Sequence, residues 1–323
     1  HGRRSAGTGP PLLNGTRSWW EGVDFPFELL SYNQLALVSL RENGPFDLAV
    51  AHDWLGLPGG LAAKRVLGVP LIFHVHSLEV GRETAPNPQI VDLELKGAGL
   101  ADGVITVSKA MKEQLSGLGV PEDKIEVSYH GVEPEVFSPS ATKRRRIEEL
   151  QERYSLKEED EVILFVGRLE PVKGVIPLLE AMPKVLQEHP RAKLLVVGKG
   201  TLEGRVRSMA EALGGSVKVV TDFLDLESKI HHYALADLCV FPSLYEPFGI
   251  VGVEAAAMER PAVVGASGVS GLREIVDDPS AERPTGVHVN PRDPGDIAWG
   301  MQPGPRRPER RREWVEERKG QRA

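Results

Sequence analysis

The sequence predicts an α/β protein of two parallel-sheet domains in tandem. Three observations carry that prediction. Short aliphatic and β-branched runs recur along the chain, segments of helical spacing separate them, and one charged stretch interrupts the alternation. Runs that are apolar nearly throughout belong to strands covered on both faces. Strands that alternate with helices build parallel sheets.

Taken in order, FELLSYNQLALVSLREN (27–43) has the spacing of a helix. DLAVAH (47–52), LIFHVH (71–76), GVITVS (103–108) and KIEVSYH (124–130) read as strands, and SKAMKEQLSGLG (108–119) as a helix with a glycine stop. The interruption, TKRRRIEELQERYSLKEEDE (142–161), has the pattern of a solvated helix and connector, its KRRR run a surface feature. It places the domain boundary near residue 156. Beyond it come the strands EVILFVG (161–167), AKLLVVG (192–198), SVKVVTDF (216–223), DLCVFPS (237–243), PAVVGA (261–266) and GVHVN (286–290). The helical patterns VIPLLEAMPKVLQEH, LEGRVRSMAEALGG, LESKIHHYALA and IVGVEAAAMER lie between them. The expectation is two Rossmann-like domains, 1–156 and 157–300, then a basic, poorly ordered tail over 301–323. Ligands of such sheets bind beyond the carboxyl ends of the strands, and two facing domains make a cleft.

Bulk properties narrow the function classes. The 323 residues suffice for two domains, and 41% hydrophobic with 26% charged residues is a soluble composition. A net charge of −7 argues against a general nucleic-acid surface. The single cysteine, Cys239, excludes a disulfide framework or a cysteine-rich metal site and reads as core filler. No apolar run approaches the ~20 residues of a membrane span. The opening HGRRSAGTGP lacks the apolar core of a signal peptide. A cytoplasmic protein without stable membrane insertion is expected.

The chemistry gathers at the strand ends of the second half. Gly167 permits a tight turn, and Arg168 and Lys173 stand five apart in GRLEPVKG (167–174). Two fixed cations there suit a diphosphate; a solvated loop with incidental charge is the other reading. GKGTLEG (198–204) alone is a weak phosphate signal. In LYEPFGIVGVE (244–254), Glu246 lies in a loop, free to face outward to a sugar hydroxyl. Phe248, Gly249 and Ile250 lead into a helix whose free N–H groups suit an anion, and Glu254 follows about one turn in. SGVSGLREIV, with Gly271, repeats the glycine-loop-to-helix pattern. Four strand ends suited to one polyanionic ligand are a stronger signal than any one of them. Among the histidines, His52, His74 and His76 fit strand ends, as hydrogen-bonded residues or as metal ligands, the former preferred. His231 and His232 fit a helix surface. The two glutamates as a glycosidase acid and nucleophile would leave the Arg–Lys loop without a purpose.

GRLEPVKG, PSLYEPFGIVGVEA and the SGL loop together resemble retaining glycosyltransferases of the glycogen synthase and wider group 1 kind. The resemblance covers about 160–300 and turns on the E-x7-E spacing of Glu246 and Glu254. It implies the glycosyltransferase-B fold, a nucleotide-sugar donor such as UDP-glucose or ADP-glucose, and no metal or other cofactor. In that likeness Arg168 and Lys173 bind the diphosphate, Glu246 the transferred sugar and Glu254 the ribose, with a base pocket near Phe223 and Leu224. Gly167, Phe248, Gly249, Ile250 and Gly271 complete the implied donor site. More loosely, AHDWL (51–55) places Asp53 on the acceptor side and LIFHVHSL supplies the active-site His76. VSYHGVEPEVFSP resembles the family's NGVD segment, with His130 where asparagine is usual.

The implied function is hexose transfer, glucose first, to an α-glucan; the rivals are a lipid or small-molecule hydroxyl acceptor, a nucleotide-sugar binder without turnover, or a sugar-nucleotide epimerase. The family's first domain opens with about 80–100 residues of βα units before the AHDWL position, which this chain reaches by residue 51. The first domain is therefore expected to be truncated at its N-terminus, exposing strand edges and apolar faces.

Overall fold

A computed structural model describes residues 25–82 and 85–302. The opening residues and nearly all of the arginine-rich tail, including its expected disorder, lie outside the described residues. The first half runs α1 (Phe25–Asn43), β1 (Ala49–His52), α2 (Asp53–Leu67), β2 (Leu71–Val75), α3 (Glu79–Arg82), α4 (Pro88–Leu100), β3 (Gly103–Thr106), α5 (Lys109–Gly117) and β4 (Ile125–Val127). Then follow α6 (Arg144–Tyr154), β5 (Glu161–Val166), α7 (Val175–Glu188), β6 (Ala192–Val197), α8 (Glu203–Ala212), β7 (Val217–Val220) and α9 (Leu226–Leu235). The chain continues through β8 (Leu238–Phe241), α10 (Ile250–Ala257), β9 (Ala262–Gly265), α11 (Leu272–Ile275), β10 (Gly286–Val289) and α12 (Pro294–Met301). Every predicted strand is present. Among the described residues, no helix is long and apolar enough to cross a membrane.

By packing, the described residues form two compact units, one of 25–75 and 88–105 and one of 76–82, 85–87 and 106–302. The two sheets lie on either side of residue 156, but the packing division does not. Residues 106–156 belong to the second unit, where α6 packs on α9 and Tyr154 enters the core beside Ile230 and Tyr233.

In the first unit β1 pairs in parallel with β2, from Ala49↔Leu71 to His52↔His74. β1 is the outermost strand, and Leu48 and Val50 along it are each 48% exposed. α2 continues through GLPGGLA, a segment outside the predicted helical patterns. Pro58 and the glycines lower its intrinsic propensity, and packing overrides that. The buried Asn33 of α1 donates to Leu55 O (2.9 Å) and accepts from the Gly59 N–H (2.6 Å), fastening the two helices together.

The second unit holds a parallel six-stranded sheet in the order β10-β9-β8-β5-β6-β7. Alternate residues of β5 feed two cores. Ile163 and Phe165 join Leu178, Met182 and Ile297 on one face; Val162 and Leu164 join Tyr233, Phe241 and Met258 on the other. That double coverage is why the strand is apolar throughout. From β5 the chain proceeds outward to β6 and β7, then returns to lay β8 on the other side of β5. The strand order reverses there, which opens a crevice at the carboxyl ends of β5 and β8.

His231 and His232 correct the surface expectation: they are 2% and 1% exposed. The face of α9 that carries them packs on α6. His231 Nε2 accepts the Lys143 N–H (3.0 Å), and His232 Nε2 pairs with the Tyr154 hydroxyl (2.8 Å). Burial pushes the pKa of His232 below its ordinary value.

Candidate active site

The loops that leave β5 and β8 meet where the strand order reverses. After β5, Leu169 is fully buried and its N–H donates to Lys199 O (2.7 Å). A single 3-10 turn, Pro171–Lys173, follows, and Gly174 at φ 69° starts α7. A Cβ at Gly174 would stand 1.9 Å from Pro242 O, so glycine is required there both for conformation and for space. Leu244 N–H donates to Val172 O (2.8 Å), tying the two loops together.

Beyond β8 the backbone of Glu246 is held on both sides. Its N–H donates to Val269 O (3.0 Å), and its carbonyl accepts the Gly271 N–H (2.8 Å). The side chain does not stand free as the sequence suggested. Glu246 is 8% exposed, and its Oε2 accepts from Lys173 Nζ (2.7 Å) and from Ser243 Oγ (3.0 Å). A carboxylate so deeply placed is retained because both donors meet it. Gly249, at φ 97°, brings the chain into α10 without a side-chain cap, leaving that helix start to its own backbone donors.

These loops border a cavity of about 260 Å³ in the second unit. It brings together Arg168, Lys173, Glu246, Phe248, Gly249, Ile250 and His76. Arg168 is exposed and has no carboxylate partner among the described residues. His76 stacks on His130, ring centroids 5.4 Å apart and planes within 2°, and Phe248 meets His130 edge-on at 5.2 Å. Tyr129, one residue earlier, donates to Glu274 Oε2 (2.9 Å), and Glu274 also accepts the Lys109 and Ala110 N–H groups (2.9 and 2.8 Å). Burial first, then Glu274, raises the pKa of the Tyr129 hydroxyl, which keeps it a donor.

Among the lining residues that sequence reasoning missed are Ser77, Arg82, Tyr245 and, as a site residue, His130. Tyr245 accepts the Leu78 N–H (3.0 Å) and so positions the segment after His76. Arg82 is paired with the buried Glu79 at 3.3 Å. The departure of His130 from the family's asparagine was the one available signal.

Other expected site residues do not line this cavity. Glu254 is buried within α10 and accepts from Lys229 Nζ (2.5 Å) and the Tyr233 hydroxyl (2.7 Å). Burial, then Glu254, holds the pKa of the Tyr233 hydroxyl well above its ordinary value. Gly167 closes β5, Gly271 braces Glu246 from behind, and Leu224 packs against the core while Phe223 is 90% exposed. Asp53 belongs to the first unit, at the start of α2 with φ 51°. His52 and His74 neighbour each other in that unit, ring centroids 4.9 Å apart.

Comparison with known proteins places the chain. Residues 146–321 match the family model for group 1 glycosyl transferases, and residues 11–136 match that for glycosyltransferase family 4. An uncharacterized glycosyltransferase of Methanocaldococcus jannaschii is 35% identical over 79% of this chain and 65% of its own length. The glycogen synthase of Mycobacterium tuberculosis is 31% identical over 78% of this chain and 58% of its own. The chain thus spans less than two thirds of these relatives. Anabaena HepE, solved in complex with UDP-glucose, superposes with a TM-score of 0.67 at 22% identity, covering 84% of this chain and 70% of that one. At that identity the likeness speaks for the fold, two parallel-sheet α/β domains of the glycosyltransferase-B kind. With its model matched over more than half of the sequence, the chain belongs to the group 1 glycosyltransferases.

Proposed function

We propose that this chain is a retaining hexosyltransferase. It moves glucose from UDP-glucose or ADP-glucose to a hydroxyl of an α-glucan. One observation carries the reading: Arg168, Lys173 and Glu246 converge on one cavity where the strand order reverses. The glycogen synthase relative and the UDP-glucose held by HepE support it.

Arg168 and Lys173 hold the diphosphate with the backbone donors at the start of α10. As the bond from the anomeric carbon to the diphosphate oxygen lengthens, negative charge grows on that oxygen. The two cations are already in place to meet it, each such donor being worth roughly 10²–10³ in rate. Glu246 accepts from a sugar hydroxyl, and His76 orients the ring beside the positive charge that develops on it. Glu254 serves the ribose, with the base near Phe223 and Leu224. The reaction takes place in the cytoplasm.

Arg82 favours one second reading. It adds a third cation to the cavity lining, which would suit a phosphorylated small-molecule acceptor. Radiolabelled UDP-glucose and ADP-glucose, each incubated with glycogen, distinguish the possibilities. Label entering precipitable glucan with α-configuration is the expected result. Label confined to a small soluble product favours the second reading, and an isomerised sugar still on its nucleotide overturns both.

A further inference from the structure

We infer that Glu246 also sets the affinity of the site for the diphosphate itself, competing with phosphate for Lys173 and so disfavouring the free nucleoside diphosphate product. This rests on the donor-site reading above. Glu246 Oε2 lies 2.7 Å from Lys173 Nζ, and the two side chains are only 10% and 19% exposed, so water screens the pair weakly. A phosphate oxygen bound to the same ammonium at about 2.8 Å lies no more than roughly 5.5 Å from Oε2. The two anions are neighbours from whichever direction the phosphate enters.

Substrate and product then differ in what they present to Glu246. In a nucleotide sugar the sugar-bearing phosphate has one ester and one anhydride bond and a single negative charge, and the sugar brings hydroxyl donors for the carboxylate. Once the sugar has left, those donors are gone and the terminal phosphate takes up most of a second charge at neutral pH. Glu246 faces a dianion, and like charges at this range oppose binding. Arg168, with no carboxylate partner among the described residues, contributes its full charge to both ligands. The group that reads the sugar therefore also speeds the departure of the product.

Calorimetric titration of the full chain with UDP, ADP and GDP tests this. The proteins are wild type, Glu246→Gln, Lys173→Gln and the double variant. The diphosphate that binds wild type is expected to bind Glu246→Gln about tenfold more tightly. In the Lys173→Gln background the same change tightens binding by a clearly smaller factor. Glu246→Ala removes the same charge and serves if Glu246→Gln does not fold. Unchanged or weaker binding by a folded Glu246 variant overturns the inference and leaves the donor site standing. No binding of any diphosphate by any of the proteins overturns both.

Discussion

His130 lies parallel to His76, ring centroids 5.4 Å apart, and meets Phe248 edge-on at 5.2 Å. His76 is thus held in a stack built from the segment in which His130 stands where the family's asparagine is usual. Ring contacts of this kind are worth about 0.5–1.5 kcal/mol beyond area burial. His130→Ala is expected to lower kcat by a few-fold to about tenfold, with a smaller change in KM for the donor. His130→Phe, which keeps the stack, is expected to recover most of the loss. Steady-state kinetics on the three proteins checks it.

Lys173 should matter to stability as well as to turnover. Its removal leaves the Glu246 carboxylate deeply placed with Ser243 as its remaining donor. Lys173→Met is expected to cost about 1–3 kcal/mol of unfolding free energy, discounted for partial exposure. Urea denaturation measures it, and Lys173→Met with Glu246→Gln should regain part of the loss.

Gly174 joins the loop after β5 to α7 at φ 69°, with Pro242 O in the space a Cβ would take. Gly174→Ala is expected to destabilise by about 2–4 kcal/mol, or to prevent folding, because strain and overlap add. Gly204→Ala, on the open side of α8, is the control and should be neutral or stabilising.

His232 makes stability depend on pH. Burial lowers its folded pKa below the ordinary 6.5. In acid the unfolded chain binds a proton that the folded chain refuses, so this contribution is fully present above about pH 6.5 and is lost as pH falls toward the folded value. Replacing His232 by Gln is expected to flatten the fall of unfolding free energy between about pH 7 and pH 5. Denaturation curves across that interval give the slope.

All ten strands were legible, because buried parallel strands are apolar on both faces and few other structures are. β5, with its residues shared between two cores, is the clearest case. α2 was not legible: its Pro58 and glycines carry no helical signal, and the packing that makes them helical comes from Asn33, 26 residues before Gly59. His231 and His232 read as surface because their partners, Lys143 just before α6 and Tyr154 at its end, belong to the stretch that the charge pattern marked as solvated; one face of that helix is not. Arg168, Lys173 and Glu246 were legible as motifs. Their convergence on one ligand was legible too; the ion pair between Lys173 and Glu246 was not, since the two are 73 positions apart and only the crossover from β7 to β8 brings them together. His130 and Arg82 carried no spacing signal, and only the fold brings them to the cavity.

The most direct test of the donor site is nucleoside diphosphate release by wild type and Arg168→Ala, measured with UDP-glucose, ADP-glucose and GDP-mannose, each with and without glycogen. Arg168 is exposed with no carboxylate partner among the described residues, so its removal should leave the thermal midpoint unchanged. Glycogen-dependent release by wild type, reduced about 10²–10³-fold in an Arg168→Ala protein of equal stability, is the predicted result. Release by Arg168→Ala at the wild-type rate would contradict it.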